Sequence, residues 1–149
     1  MTNWPQASID IDKSTNMCFV CGKDNPIGLK LQFDWDGKTA RAEFTPSELC
    51  QGWTGIMHGG IIACLLDEAM SYAAVFEKIN TITAQLQMRI KRPIPIGEPL
   101  FITGTISKRT RRLVETKATI LLKDGTSMAE ATAKQFVFDA KQSKETDDR

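Results

Sequence analysis

The sequence predicts an α+β fold in which one long antiparallel β-sheet curls around a single central helix. Three observations predict it: an apolar, Ala-rich run from Ile61 to Phe76 without Gly or Pro, several segments in which apolar and polar residues alternate, and two Asp-Gly turn pairs. The run is too long and too Ala-rich for an ordinary strand. It is hydrophobic nearly all round, so a sheet that wraps around it is the only partner available.

Two strands are predicted before the helix. Apolar and polar residues alternate over residues 29–33, the pair Asp36-Gly37 then forms a strong turn, and residues 40–44 alternate again. An Asp-Gly pair between two alternating segments is typical of a β-hairpin. The chain therefore enters the helix from a hairpin.

Four strands are predicted after the helix, where apolar residues recur with a period of two. Two prolines, Pro93 and Pro95, end the first of these strands, and a second Asp-Gly pair joins the last two. The predicted element order is β-β-α-β-β-β-β. The four strands cover residues 82–90, 100–106, 113–122 and 128–138.

Length and composition predict one domain. The chain has 149 residues, and 19 basic against 18 acidic residues give a net charge of +1, which argues against a nucleic-acid or membrane partner. Segments 1–16 and 140–149 have no apolar face and are predicted to be loose, around a folded domain at 17–139. Neither a signal peptide nor a membrane span is recognised, so a cytoplasmic location is expected.

The four cysteines are expected to be free thiols rather than a disulfide framework. Cys18 and Cys21 form a Cys-x-x-Cys pair, which is half of the ligand set of a zinc site. Neither a second such pair nor a nearby His completes four ligands, so no metal and no other cofactor is predicted. The role of the pair stays open.

One carboxylate, Asp67, stands inside the apolar run, nine residues after His58. Burying a charge there is unfavourable unless the group is hydrogen-bonded, paired, or placed at a cavity where its reactivity is used. That cost makes Asp67 the first candidate for chemistry. Its neighbour Glu68 points about 100° away around the helix and is expected to cap, pair, or line a subunit interface.

Four motifs follow one another along the chain: Asn25-Pro-Ile-Gly-Leu29, Gln51-Gly-Trp-Thr-Gly-Ile-Met-His-Gly-Gly60, Leu66-Asp-Glu-Ala69 and Lys91-Arg-Pro-Ile-Pro-Ile-Gly97. Together they resemble the signatures of hotdog-fold acyl-CoA thioesterases of the PaaI-like, phenylacetate-degradation type. The resemblance implies a hotdog fold and hydrolysis of an acyl-CoA to a carboxylate and free CoA without a cofactor. It also implies a homodimer, or a tetramer built as a dimer of dimers, with active sites between subunits.

Thioester hydrolysis develops negative charge on the carbonyl oxygen, and the free N–H groups at a helix start stabilise such a charge. Gly59 and Gly60 open the predicted helix and leave these amides accessible to a substrate. The resemblance implies that Gly59 holds the carbonyl oxygen. Asp67 is then either a nucleophile, through a mixed anhydride, or a general base that activates water, and the sequence leaves both open.

The spacing of these groups predicts a shared site. At about 1.5 Å per residue, Asp67 lies roughly 13 Å from His58 on the same helix, too far for both to act on one carbonyl. The acid and the amide are therefore expected to come from different subunits. Dimerisation then becomes a condition of activity.

Four further residues are candidates with simpler alternatives. His58, the only histidine, is expected to cap or brace the helix start, with direct proton transfer as the less favoured role. Thr83 lies where related thioesterases position the attacking water with a Ser or Thr; it is otherwise an ordinary strand residue. Some relatives have Asn six residues before the histidine, where this chain has Gly52, and Gln51 beside it is a candidate substitute in substrate binding.

Basic residues at two places in the sequence are candidates to bind the phosphates of coenzyme A. The alternative is a solvated hairpin turn. Large apolar residues are candidates for an acyl pocket, although such residues more often belong to the core. The basic candidates are Arg89, Arg92, Arg109, Arg111 and Arg112, and the apolar candidates are Trp53, Met57, Met70, Tyr72 and Phe76.

Two other functions stay open. A hotdog hydratase or dehydratase would normally need a paired His and Asp over the acyl chain, and this chain has a single His. A non-catalytic acyl-CoA-binding module would use the same groove, with Asp67 in a structural role. The acyl-chain specificity is not predicted.

Overall fold

The computed structural model describes residues 15–138, in which six antiparallel strands pack around one long helix. The elements are β1 (Asp34–Trp35), β2 (Ala40–Phe44), a short 3-10 helix (Glu48–Cys50), α1 (Gly59–Phe76), β3 (Thr81–Ile90), β4 (Leu100–Arg109), β5 (Leu113–Leu122) and β6 (Ser127–Val137). Across the sheet the strand order is β1-β2-β4-β5-β6-β3. The predicted element order is confirmed. Most of the two segments predicted to be loose, namely residues 1–14 and 140–149, lies outside the described residues.

The helix α1 forms the core with the sheet. Leu65, Leu66 and Met70 are fully buried against the strands. Where α1 crosses β4 the strand carries Gly104, and a side chain there would clash with the backbone of Ala69, so only glycine allows this close approach. By length and mean hydropathy alone α1 would also pass as a membrane span, but a helix that packs its apolar residues under a sheet is a core helix.

The four strands after the helix are confirmed, with β4 reaching further than predicted, to Arg109. Strand β3 pairs only with β6 and forms one edge of the sheet. The register between these two strands shifts between Thr83 and Gln85, so that Ala84 forms a bulge. The other edge is β1, which has two residues. The sheet therefore has one long edge, made by β3.

The first predicted strand is misplaced, because β1 consists only of Asp34 and Trp35 and begins directly after residues 29–33. The N–H groups of Leu29 and Leu31 donate to the carbonyls of Phe19 and Val20, not to the sheet. Lys30 between them has a φ of 54°, a left-handed conformation that interrupts an extended strand. The alternating pattern over residues 29–33 therefore reflects burial of every second side chain against the core rather than membership of the sheet.

Candidate active site

Among the residues that the structure describes, the start of α1 leaves one backbone amide without a hydrogen-bond partner. His58 is the N-cap, and its Nδ1 atom accepts a hydrogen bond of 2.8 Å from the Gly60 N–H. The His58 carbonyl accepts from Ile61 and Ile62. Gly59, the first helical residue, donates no hydrogen bond to any residue in the range 15–138. The capping role predicted for His58 is confirmed, and it leaves Gly59, not Gly60, with a free donor.

The same hydrogen bond decides the tautomer of the histidine. Because Nδ1 accepts the Gly60 N–H, the neutral imidazole of His58 carries its own proton on Nε2. The nitrogen that could act as a base is thus occupied at the helix start. Direct proton transfer by His58 receives no support from this geometry.

An open cleft of about 430 Å³ lies at this end of the helix. Trp53 projects from its wall with 86% of its surface exposed. Gln51 shapes the same loop, because its Oε1 atom accepts a hydrogen bond of 3.0 Å from the Gly55 N–H. The cleft exposes the free amide of the helix start to a ligand of moderate size. Its lining residues are Gly52, Trp53, Ile56, Met57, His58 and Gly59.

Asp67 lies half-buried in the middle of α1 and is hydrogen-bonded to a residue of β3. The Thr83 hydroxyl donates to Asp67 Oδ1 over 2.7 Å. Thr83 immediately precedes the bulge at Ala84, and a bulge re-aims the side chains beside it. The sequence singled out the two residues separately, and the fold brings them into contact.

A third residue of this group, Gln135, was not predicted from the sequence. It lies opposite Thr83 in the β3–β6 register and is fully buried. Its Nε2 atom donates to Thr83 Oγ1 over 3.3 Å and to Ser71 Oγ over 3.2 Å. Its Oε1 atom has no hydrogen-bond partner among the described residues, a costly state for a buried amide.

A signal for Gln135 was present in the sequence. Ala129, Ala131 and Ala133 alternate along β6 with their side chains buried, and Gln135 is the next residue of the same face. A polar residue at a core position of an alternating strand requires a hydrogen-bonding reason. That reason is the contact with Thr83.

The two parts of the site lie at opposite ends of β3. At one end a side chain added to Gly59 would lie 3.7 Å from Ile90 Cδ1, and at the other end Asp67 contacts Thr83. Helix α1 therefore runs antiparallel to β3. Asp67 lies eight positions after Gly59, about 12 Å along the helix axis, so a single chain does not bring the amide and the acid to one carbonyl.

Glu68 faces the other side of α1 from Asp67. The Cys18 thiol lies 3.7 Å from Glu68 Oε1, and the Cys21 thiol is close to both. Burial raises the pKa of Glu68. Burial, and after it the hydrogen bond with Glu68, raises the pKa of Cys21 to about 12. Of the roles predicted for Glu68 the structure favours pairing, with the partners being two thiols of its own chain.

Two of the five apolar candidates for an acyl pocket belong to the core. Met57 and Met70 are buried within it. Tyr72 stacks on Phe33 with ring centroids 4.7 Å apart, and Phe76 stacks in the same way at β1. Of the five candidates Trp53 alone is exposed at the cleft, while Tyr72 and Phe76 are half-buried against aromatic rings of the segment before β2.

The basic candidates form two groups at opposite ends of β3. Arg89 and Arg92 lie at the end near Gly59, and both are exposed. The second group lies at the turn between β4 and β5. There the backbone carbonyl of Arg112 accepts a hydrogen bond from the N–H of Val137, which pairs with the first residue of β3. One chain therefore does not bring the two groups together. The second group comprises Arg109, Arg111 and Arg112, all exposed.

Comparison with known proteins identifies the family. Residues 54–129, which run from the loop before α1 through β3, β4 and β5 to the first three residues of β6, match the thioesterase superfamily. The chain belongs to the thioesterase superfamily. The matched segment of this superfamily member includes Gly59, Asp67 and Thr83.

The relatives agree with this assignment. The acyl-coenzyme A thioesterase THEM4 of Xenopus laevis is 34% identical over 91 residues, which cover 60% of this chain and 41% of that protein. A solved thioesterase superfamily protein is 30% identical with a TM-score of 0.74, covering 79% of this chain and 61% of that one. This chain thus spans about two fifths of the length of the Xenopus relative.

The predicted hotdog fold is also confirmed. The PaaI protein of E. coli, from its phenylacetic acid degradation operon, superimposes with a TM-score of 0.69 at 18% identity. The match covers 72% of this chain and 88% of that one. At this identity the similarity concerns the fold, and it agrees with the resemblance recognised from the sequence motifs.

Proposed function

We propose that this protein hydrolyses acyl-CoA thioesters to a carboxylate and free CoA. The observation that carries the proposal is the hydrogen bond from Thr83 to Asp67, which orients an acid on the helix whose first amide, that of Gly59, has no partner within residues 15–138. A positioned acid and an open amide donor are the groups that the reaction needs. The name of the Xenopus laevis relative, acyl-coenzyme A thioesterase, supports the substrate class.

In the proposed reaction the Gly59 N–H donates to the thioester carbonyl oxygen as negative charge develops there. Asp67 acts in one of two ways. As a general base it takes a proton from water, the hydroxide attacks the carbonyl carbon, the carbon–sulfur bond breaks, and the proton passes to the departing thiolate. As a nucleophile it displaces the thiolate to form a mixed anhydride, which water then hydrolyses.

Thr83 and Gln135 position the acid in either mechanism. The Gln135 amide donates to the Thr83 hydroxyl, which directs the hydroxyl proton toward Asp67 Oδ1. The second carboxylate oxygen of Asp67 then remains available for water or for the carbonyl carbon. Because Gln135 is fully buried, its own rotamer is held by packing.

A homodimer formed through β3 would complete the site. Strand β3 is the long free edge of the sheet, and antiparallel pairing of two copies about a two-fold axis between Leu86 and Gln87 would set Thr83 of one chain opposite Ile90 of the other. Gly59 lies near Ile90, and Asp67 contacts Thr83. The pairing therefore brings Asp67 of one subunit toward Gly59 of its partner.

The same dimer would unite the basic residues. Arg89 and Arg92 at one end of β3 would approach the partner's β4–β5 turn, which lies at the opposite end of its own β3. Arg109, Arg111 and Arg112 on that turn would then share one groove with them, suited to the phosphates of CoA. We propose these five arginines as the CoA-binding residues of a homodimer, or of a dimer of dimers, in the cytoplasm.

The first test is a panel of acyl-CoAs with free thiol release as the readout. Wild-type protein should release thiol from at least one acyl-CoA. Asp67→Ala should lose almost all of this activity while the dimer persists in size-exclusion chromatography. Asp34→Ala removes an exposed acid on β1 and is the matched control, which should behave as wild type. Saturable acyl-CoA binding without thiol release from any substrate would instead establish a non-catalytic binding module.

The second test asks whether the site is shared. Asp67→Asn and Gly59→Pro each disable one half of it. When the two inactive proteins are unfolded and refolded together, a mixed dimer holds one site with Asp67 of one chain and Gly59 of the other, so about a quarter of wild-type activity should return by statistical mixing. If both groups act within one chain, mixing restores no activity, and the dimer proposal is wrong.

A further inference from the structure

We propose that Cys18, Cys21 and Glu68 form a zinc site that fastens the N-terminal loop to the central helix. The three ligand atoms lie within 4.8 Å of one another. Two of them come from a Cys-x-x-Cys turn and the third from α1, so the cluster joins segments that are fifty residues apart. The site is distinct from the proposed thioesterase site and takes no part in its chemistry.

The separation of the ligand atoms suits a bound metal. The 3.7 Å between Cys18 Sγ and Glu68 Oε1 is long for a strong hydrogen bond. Zinc bonds of about 2.3 Å to sulfur and about 2.1 Å to oxygen, set at the tetrahedral angle, place those two atoms about 3.6 Å apart. A zinc ion therefore fits between them with little movement.

The loop that carries the thiols has the backbone of a tight metal-binding turn. The Gly22 N–H donates to the Cys18 carbonyl over 2.8 Å, and the Cys18 N–H donates to the Thr15 carbonyl over 3.2 Å. A side chain at Gly22 would overlap the backbone of Cys18, so glycine is required directly after the second cysteine. This turn keeps both thiols on the side that faces α1.

The charge around Glu68 gives a second, independent reason. Within residues 15–138 the ion pairs join Arg41 to Asp36 and Lys91 to Glu130, so Glu68 has no cationic partner there. The two thiols donate hydrogen bonds to this half-buried carboxylate, but S–H groups are weak donors and do not balance its negative charge. A divalent cation would supply the missing positive charge, and the two thiols would release their protons to solvent as they bind it.

The donor set selects the metal. Two thiolates exclude Ca²⁺ and Mg²⁺, which prefer oxygen, and a mixed sulfur and oxygen set without redox chemistry suits Zn²⁺. The fourth position belongs to water or to Cys64, which lies one helical turn before Glu68 on the same face of α1. A Cys64→Ser variant decides between these two ligands.

The experiment uses the full chain, reduced and stripped of metal with a chelator, then titrated with Co²⁺ as a spectroscopic probe. We expect one Co²⁺ per chain, with thiolate-to-cobalt charge-transfer absorption and the visible bands of tetrahedral coordination, both abolished by added Zn²⁺. Zinc should also protect Cys18 and Cys21 from a thiol-modifying reagent. Cys18→Ser and Cys21→Ser should lose the charge-transfer absorption, while Cys50→Ala, which alters a cysteine outside the cluster, should keep it.

The adjacent acids supply the matched pair. Glu68→Gln should weaken Zn²⁺ binding at least tenfold, whereas Asp67→Asn should leave it unchanged, because Asp67 contacts Thr83 on the other side of the helix. Folded wild-type protein that shows neither charge-transfer absorption nor thiol protection would overturn the proposal. So would equal zinc affinity in Glu68→Gln and wild type, or a disulfide between Cys18 and Cys21 that forms as readily with zinc present. None of these outcomes bears on thiol release from acyl-CoA.

Discussion

Asp67 and Glu68 are neighbours in the sequence, yet they meet two different parts of the molecule. Asp67 faces the sheet, where β3 and β6 supply Thr83 and Gln135, and it accepts a short hydrogen bond. Glu68 faces the N-terminal loop and two thiols. In the two proposals the same kind of side chain therefore serves thioester hydrolysis on one side of α1 and metal binding on another.

The comparison teaches that the element packed opposite an acid decides its chemistry. Successive residues on a helix point about 100° apart, so two adjacent acids reach different neighbours. Hydroxyl and amide donors leave a carboxylate charged and oriented. Thiols cannot compensate its charge, and burial then raises the pKa of Glu68 until a cation is supplied.

The largest expected effect separates the two acids directly. Asp67→Asn removes the base or nucleophile but keeps the shape of the side chain, and kcat/KM for an acyl-CoA should fall about 10²–10⁴-fold. Glu68→Gln should change kcat/KM far less, since Glu68 points about 100° away from Asp67 around the helix, toward the N-terminal loop. Steady-state thiol release measures both. Equal losses in the two variants would place Glu68 in the catalytic site and contradict the proposed difference in role between Asp67 and Glu68.

The next effect concerns the helix start. Gly59→Pro deletes the free N–H at the first helical position, where proline is well tolerated, and His58 before it already has the extended ψ of 132° that proline requires. The loss of one such donor should lower kcat/KM about 10²–10³-fold. Gly59→Ala keeps the N–H, adds only an ordinary contact with Ile90, and should lose much less. Equal losses would indicate steric blocking instead of a lost donor.

A smaller effect is expected behind Asp67. Gln135→Leu removes the amide that orients Thr83 and should lower kcat about tenfold with little change in KM. The melting temperature should not fall, because the substitution also removes the unpartnered Oε1 atom from the core. The double variant Thr83→Val with Gln135→Leu should be no slower than Thr83→Val alone. Additive losses would show that Gln135 acts other than through Thr83.

Changes at the proposed zinc site of Cys18, Cys21 and Glu68 are expected to have the smallest effect on catalysis and the clearest effect on stability. Removing zinc from wild type should lower the melting temperature by about 10 °C, since a ligand at a hundred times its Kd contributes about 2.7 kcal/mol. The zinc-dependent shift should fall to about half or less in Glu68→Gln, as a loss of tenfold or more in affinity requires, and persist in Asp67→Asn. Calorimetry with and without zinc measures it. A full shift in Glu68→Gln would remove Glu68 from the ligand set.

Much of the fold could be predicted from local patterns. The strand at residues 113–122 has the predicted bounds, and Asp124-Gly125 forms the predicted turn, because alternation and turn chemistry act over a few residues. The strand at residues 29–33 failed for the opposite reason. Its alternation was real, but the segment found hydrogen-bond partners in the loop at Phe19 and Val20.

The candidate site divides in the same way. His58 at the helix start was predictable from the residues around it, since capping is local. Gln135 was missed, because its role depends on a residue 52 positions away that the β3–β6 register sets opposite it. The third candidate metal ligand was missed as well, because Glu68 comes near Cys18 only once the loop folds onto α1.

By itself the sequence determined the central helix, the long strands after it and the family resemblance. It also identified Asp67 as an acid whose place in an apolar helix requires a hydrogen-bonding or chemical role. Periodicity, turn residues and motif spacing carry that information along the chain. Only the tertiary structure decided which neighbour each polar group meets: Thr83 for Asp67, two thiols for Glu68 and, within residues 15–138, no partner for the Gly59 amide. Contacts between distant segments depend on packing and register, which no local pattern encodes.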